Sequence, residues 1–393
     1  MTGAEHRGTQ WALLYGNFTI GCGVMVTAGA LNDLVRSLQV SVAVGGQLIA
    51  VAAVVMAVGA PLMAAVVAGI DRRRLLTWSL VWFGAGHALS ALMPNYAALL
   101  PVRALSVLGA AVFTPQAAAA IGVMVPVERR GRAITFVFLG WSVSSVLGMP
   151  LHAYIGESIG WRYAFALVAL LSLAGALWVW RAMPDGVRPA ALSGAHWRQV
   201  FTHPVLMATV AVTALSAAGQ FTLFSYFAPY YHQVLGASAA EISLMFLWFG
   251  AVGVIGNVLL SRYIDRIGAD RAVTGLLACM ALTLLVWPLG TSLPLMVLVI
   301  APWALGCFSS NSAQQARLSL AAPALASALV ALNSSAMYVG QALGATSGGA
   351  MVAQVGFGPL HWVGLVWMLL ALALSQWAAR RVARDKLLAP AHG

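Results

Sequence analysis

Residues 42–74 read VAVGGQLIAVAAVVMAVGAPLMAAVVAGIDRRR, with no charged side chain before Asp71. An α-helix rises 1.5 Å per residue, so roughly 20 apolar residues cross the hydrocarbon core of a bilayer. The stretch is long enough to do so. Its apolar residues are continuous rather than alternating, which is the pattern of a membrane helix and not of a barrel strand. One acid and three arginines then follow at 71–74, charges too costly to leave in lipid, and they mark where the crossing ends.

The same reading repeats along the chain. Candidate spans are 11–31, 42–69, 75–93, 97–125, 133–156, 163–180, 204–227, 242–261, 272–290, 293–314, 325–352 and 360–379. Of all residues, 61% are hydrophobic and 8% are charged, where a soluble domain carries roughly a quarter charged. A water-facing surface over the whole chain is excluded. The fold expected is an all-α integral membrane protein of twelve transmembrane helices in two pseudo-symmetric six-helix bundles.

The net charge of +11 is not a nucleic-acid patch. With the first residues inside, 18 of the 21 lysines and arginines fall in cytoplasmic segments; only Arg36 and Arg162 fall outside, and Arg103 sits within the fourth span. That asymmetry places both termini in the cytoplasm and sets the basic loops against anionic lipid. The polar residues 1–10, followed by an apolar run too long for a signal-peptide core, predict a retained first helix.

The connection 181–203, with Pro184, Asp185, Gly186, Pro189 and Ser193, divides the chain near its middle. The expected organisation is a six-helix bundle over 1–181, a cytoplasmic linker over 182–203 and a second bundle over 204–393. The halves echo each other. Asp71-Arg72-Arg73-Arg74 joins the second and third spans, and Arg262 through Asp265, Arg266 and Gly268 joins the eighth and ninth. Gly148 and Pro150 in the fifth span answer Gly344, Gly348 and Gly349 in the eleventh. Two parallel repeats of this kind describe a known secondary-transporter architecture.

Cys22, Cys279 and Cys307 are far apart inside apolar runs, giving neither metal-ligand spacing nor a disulfide framework. No phosphate-binding glycine loop followed by lysine occurs, and Lys386 is the single lysine, so ATP-driven transport within the chain is not expected. No catalytic triad stands out: no enzyme activity and no cofactor are expected.

Several stretches together resemble the major facilitator superfamily over roughly residues 10–380. They are Gly256-Asn257 through Arg262, Asp265-Arg266 and Gly268; Arg103 with Gly109-Ala110-Ala111 and Phe113-Thr114-Pro115; Arg130-Gly131-Arg132-Ala133; Gly140, Gly148-Met149-Pro150 and Gly160-Trp161-Arg162; and Tyr226-Phe227-Ala228-Pro229. Within that family the chain looks like the twelve-span drug:proton antiporter branch, near its arabinose-efflux and sugar-efflux members. It departs from the pattern at Ala68, Asp71, Val107 and His152. The resemblance implies proton-coupled efflux of a small molecule, a drug, sugar or metabolite, by alternating access around a midplane site. It also implies a role in proton coupling for Arg103. An uncoupled or differently coupled facilitator or uptake transporter is the alternative, and a membrane-embedded sensor or enzyme the more distant one. The expected location is the bacterial inner membrane, and the expected partners are a small-molecule substrate, protons and lipid, for a monomer that binds no nucleic acid.

The residues that carry chemistry follow from cost. An ionised group inside a span must face the bundle interior or reach an interface, which singles out Arg103. Asp33, at the outer end of the first span, reads either as a proton carrier or as a solvated helix end beside Arg36. His152 in the fifth span titrates near neutrality, and reads either as a pH-sensitive group or as a packed core histidine. Polar and aromatic residues inside spans give the substrate-cavity candidates Asn17, Gln116, Trp141, Gln220, Phe224, Asn311, Gln315, Asn333 and Tyr338; interhelical hydrogen bonding is the other reading of the polar ones. Asp71, Arg72, Arg262, Asp265 and Arg266 are read as a cytoplasmic gate. Gly148, Pro150, Gly344 and Gly348 are read as helix-packing positions.

Overall fold

A computed structural model describes residues 3–67, 69–126, 130–188, 194–322 and 325–388. All regular structure among these residues is helical. Eleven helices are long and apolar enough to cross a membrane by length and composition. The remaining long helix, Ala326–Val355, is more polar, holding Asn333, Ser334, Ser335, Gln341 and Ser347, and it supplies the eleventh of twelve spans.

Three spans are interrupted just before a proline, and the first and fourth break without one adjacent. A proline lacks the N–H that would bond four residues back, and its ring crowds that carbonyl. In the fifth span a π turn, Ser144–Gly148, precedes Pro150 and relieves that clash. The first breaks at Ala30, between Gly3–Gly29 and Leu31–Leu38, and the fourth at Val107, between Tyr96–Ser106 and Leu108–Met124, six residues past Pro101. The tenth breaks at Ile300, just before Pro302, and the seventh between Pro204–Phe224 and Phe227–Gln233, just before Pro229.

The chain divides into two compact units. One comprises Met1–Ala191 and Ser225–Gly250; the other comprises Leu192–Phe224 and Ala251–Gly393. In the first unit the C-terminal part of the seventh span and the N-terminal part of the eighth are held by specific contacts. Asn32 Nδ2 donates to the Ala228 carbonyl at 3.1 Å, and Ser243 Oγ donates to the Pro150 carbonyl at 2.9 Å. The Tyr226 hydroxyl fills the space a side chain on Gly46 would take.

Close helix packing is built on glycine in both units. A Cβ on Gly140 of the fifth span would lie 2.2 Å from the Leu14 carbonyl oxygen of the first. One on Gly340 of the eleventh would lie 2.2 Å from the Ala214 carbonyl oxygen of the seventh. Real Cβ atoms do not approach so closely, so these helix pairs touch backbone to backbone. Gly148 rests on Cys22 Sγ, Gly344 on the Ala218 carbonyl, and Gly348 is buried.

The connection read from sequence as a linker contains a helix, Gly194–Thr202. Its Val200 is buried with Leu206, Val210 and Leu318, and Trp197 packs against the same cluster.

Candidate functional site

In the first unit, Arg103 is fully buried at 0% exposure, and no ion pair involves it among the described residues. Its partners are neutral. Nη1 lies 2.9 Å from His87 Nε2, and Nη2 donates to the Val24 carbonyl at 3.2 Å. Its guanidinium stands 5.8 Å from the Phe165 ring centre. The guanidinium has only N–H donors, so His87 Nε2 must accept. The ring proton is therefore on Nδ1, which lies 2.8 Å from the Phe83 carbonyl. The Gly23 carbonyl also sits 3.3 Å from Nε2. Three spans thus meet at one buried cation: the first through carbonyls, the third through His87 and the fourth through Arg103.

His152 is buried in the fifth span and interacts electrostatically with His87. Neither of its ring nitrogens reaches full hydrogen-bond geometry, and the Cys22 backbone of the first span is the polar group that acts on the ring. Asp33 belongs to a different group. Its Oδ1 pairs with Arg36 Nη2 at 2.8 Å, and its Oδ2 accepts from the Trp161 amide at 2.8 Å, at the start of the sixth span. The Asp33 carboxylate pushes the Arg36 guanidinium further up from its usual value. Glu157 stands 3.8 Å from Arg36.

The second unit holds a network of neutral polar groups. Thr213 Oγ1 donates to Asn333 Oδ1 at 2.5 Å, and Asn333 Nδ2 donates to Asn311 Oδ1 at 2.8 Å. Gln314 Nε2 donates to the Thr209 carbonyl at 2.5 Å, while Gln314 Oε1 is buried with no partner. Thr213, Asn311 and Gln314, with Ser216, Gln220 and Ser310 and with the apolar Val212, Val273, Leu277 and Met337, border a void of ≈ 10 Å³, the room one water-sized group needs. The seventh, tenth and eleventh spans therefore carry amide and hydroxyl groups with one acceptor left to fill.

The other sequence candidates are placed as follows. In the first unit Asn17 bridges two helices, accepting from Thr114 Oγ1 at 2.9 Å and donating to the Val137 carbonyl at 3.2 Å. Gln116 is buried, and Trp141 Nε1 is buried without a partner. In the second unit Phe224 meets Phe221 edge to face, Gln315 is half-buried and accepts Ser319 Oγ at its carbonyl, and Tyr338 is half-buried.

At the ends of the spans, Asp71 caps the third span through the Arg73 and Arg74 amides, and its Oδ2 accepts from the Gly186 amide at 2.6 Å. Arg72 donates to the Val67 and Ile70 carbonyls. Arg73 pairs with Asp185 at 2.7 Å and stacks on Trp180. This loop is tied to the start of the linker. Arg262 and Arg266 are exposed, and the Asp265 side chain lies outside the described residues.

Sequence reading missed a second clamp. Arg317, 5% exposed, places Nε 2.6 Å from Asp270 Oδ1 and donates to both the hydroxyl and the carbonyl of Ser375. The signal available was an arginine just past the tenth candidate span, read there as a cytoplasmic charge, and an acid just before the ninth.

Twelve spans among the described residues, with a buried cation in one unit and a polar patch in the other, are the features of a polytopic membrane protein. A sequence profile of the Major Facilitator Superfamily matches residues 13–345, and the chain belongs to that family. It is 29% identical over 377 residues to "Inner membrane transport protein YdhP" of Escherichia coli (strain K12), covering 94% of this chain and 95% of that protein. It is 28% identical over 347 residues to "Probable sugar efflux transporter" of Helicobacter pylori (strain G27), covering 88% and 89%. The solved D-xylose-proton symporter has the same fold, with a TM-score of 0.77 at 18% identity over 94% of this chain and 96% of that one.

Proposed function

We propose that this transporter exports a small neutral molecule rich in hydroxyl groups, such as a sugar or polyol, in exchange for protons. The observation that carries the reading is the uncharged patch of Asn311, Gln314, Asn333 and Thr213, with Gln314 Oε1 unpartnered beside a water-sized void. Paired amides recognise hydroxyls as both donor and acceptor, and an analogue lacking the hydroxyl leaves them unsatisfied. The relatives named for sugar efflux support the substrate class. The buried Arg103 supports coupling to an ion, because a charge is costly to keep in a membrane interior without a task.

The location proposed is the bacterial inner membrane, with both termini cytoplasmic and the protein acting as a monomer. Arginine-rich loops favour that orientation. The loop at Asp71–Arg73 and its counterpart at Arg262–Arg266 are proposed as cytoplasmic locks that part during transport.

A facilitator reading is favoured by one observation: no Asp or Glu is among the buried residues described. Purified protein in liposomes separates the two readings. With labelled sugars and polyols, coupled export predicts flux that follows an imposed proton gradient and collapses with a protonophore. Flux indifferent to the protonophore sinks the coupled reading. No flux of any hydroxylated compound sinks the substrate class.

A further inference from the structure

The Arg103–His87 contact has two acceptor arrangements built into it. In the structure, His87 Nε2 accepts from Arg103 Nη1 at 2.9 Å. The same Nε2 sits 3.3 Å from the Gly23 carbonyl, an approach of two acceptors that gains nothing while the nitrogen is bare. A proton on Nε2 reverses both relations. The new N–H can donate to the Gly23 carbonyl, and it can no longer accept from the guanidinium, which it now repels as one cation repels another. Nδ1 stays on the Phe83 carbonyl in both states, so the ring keeps its place.

We propose that His87 is a proton-bearing positioning residue for this transporter: protonated at Nε2, it releases Arg103 and bonds the Gly23 carbonyl of the first span instead. The proton comes from water when the unit opens that region, and it leaves when Arg103 returns. Released, Arg103 keeps the Val24 carbonyl on Nη2, while Nη1 joins Nε, which already has no partner. It must then find acceptors elsewhere, and that need couples protonation to movement of the fourth span against the first and third.

The groups that face the ring are few. The fourth span presents Arg103, and the fifth presents His152, the other titratable group acting on it. The first span presents the Gly23 carbonyl, with the Cys22 sulfur turned toward Gly148. The third presents the Phe83 carbonyl and ring, and the sixth presents Phe165. None is an acid. The proton load therefore falls on a histidine: shut away beside a cation its ring stays neutral, and once water reaches it a histidine takes up a proton between roughly pH 5 and 8. The inference rests on the proton-coupled reading above for its purpose, but its chemistry can be tested alone.

The test is nitrogen NMR of the full chain in lipid nanodiscs, with histidine and arginine labelled, titrated from about pH 8 to 5. The His87 signals are assigned as those lost in His87→Gln. At high pH the expected pattern is one protonated nitrogen, Nδ1, and a through-space contact between Nε2 and an arginine Nη. At low pH both ring nitrogens carry protons, the contact vanishes, and the Arg103 side-chain signals move along the same curve. In His87→Gln those Arg103 signals no longer follow pH, because the amide oxygen accepts but does not titrate. The wild-type titration stands without the variant, should His87→Gln fail to fold; Arg103→Lys, which removes the guanidinium signals, then assigns the contact. Protonated Nε2 at high pH, a ring that stays neutral while Arg103 moves, or a contact unchanged over the whole range overturns the inference. A completed switch with flux indifferent to the proton gradient upholds the latch and sinks coupled export. Coupled flux with no switch sinks the latch alone.

Discussion

Arg317 Nε lies 2.6 Å from Asp270 Oδ1, and the two partners differ sharply in their surroundings: the arginine side chain is 5% exposed and the aspartate 53%. The cation depends on the pair more than the anion does. Asp270 loses little by returning to water, whereas Arg317 is left with Ser375 and no counter-charge. Asp270→Asn should lower stability by about 1–2 kcal/mol, the low end for a charged hydrogen bond because the site is half open. Arg317→Gln should cost less than Arg317→Leu, since the amide still donates to Ser375. Thermal melts of the purified variants decide this, and equal melting temperatures for wild type and Asp270→Asn would remove the clamp from consideration.

Backbone contact between helices makes a sharper prediction. Gly140→Ala and Gly340→Ala each place a methyl 2.2 Å from a carbonyl oxygen of the neighbouring span. Neither backbone can yield as a flexible side chain would, so each variant should lose about 1–3 kcal/mol and migrate with a broadened melt. Gly275→Ala, where nothing lies within 4 Å, should be neutral or slightly more stable. Comparable losses at all three positions would mean that glycine serves flexibility there rather than close approach.

Asn333 is the middle of a relay, accepting from Thr213 and donating to Asn311. Asn333→Leu strands both neighbours, with an expected cost of about 0.6–1.7 kcal/mol in a membrane setting. Gln314→Leu removes the unpartnered oxygen instead. If that oxygen meets a substrate hydroxyl, the apparent KM should rise roughly 5- to 30-fold, the equivalent of 1–2 kcal/mol, with little change in melting temperature. An unchanged KM would assign Gln314 to helix packing.

Asp33 divides its two oxygens between an ion pair and a helix start. Asp33→Asn keeps an oxygen for the Trp161 amide and should lose under about 1 kcal/mol, with proton-driven flux retained. Asp33→Ala loses the cap as well and should cost about 1 kcal/mol more. Abolished proton-driven flux in a well-folded Asp33→Asn protein would instead make this carboxylate the proton carrier.

The spans were legible because hydrocarbon imposes a condition on every residue of a crossing, and a run such as 42–70 meets it without any tertiary information. Arg103 was legible for the complementary reason, as a charge where none is cheap. Its partner was not. His87 is sixteen positions earlier and on another helix, and nothing local marks a third-span histidine as the acceptor for a fourth-span guanidinium. The pairing of Asp270 with Arg317 was hidden in the same way, since Asp265 lies nearer the loop pattern and drew the reading. Asn311 and Asn333 were found as polar residues in lipid, but Thr213 and the open oxygen of Gln314 emerge only once the seventh, tenth and eleventh spans stand side by side. The helix at Gly194–Thr202 was hidden by the prolines and glycines before it, although Trp197, Val200 and Phe201 have helical spacing.

Where Gly140 meets the Leu14 carbonyl, and Gly340 that of Ala214, two helices lie against one another with no side chain in between. Such a seam recognises nothing and tolerates no enlargement, so each pair behaves as a single plank. Mutation is then free to rewrite the faces turned away from the seam, and a descendant could change its cargo while the moving parts stay as they are.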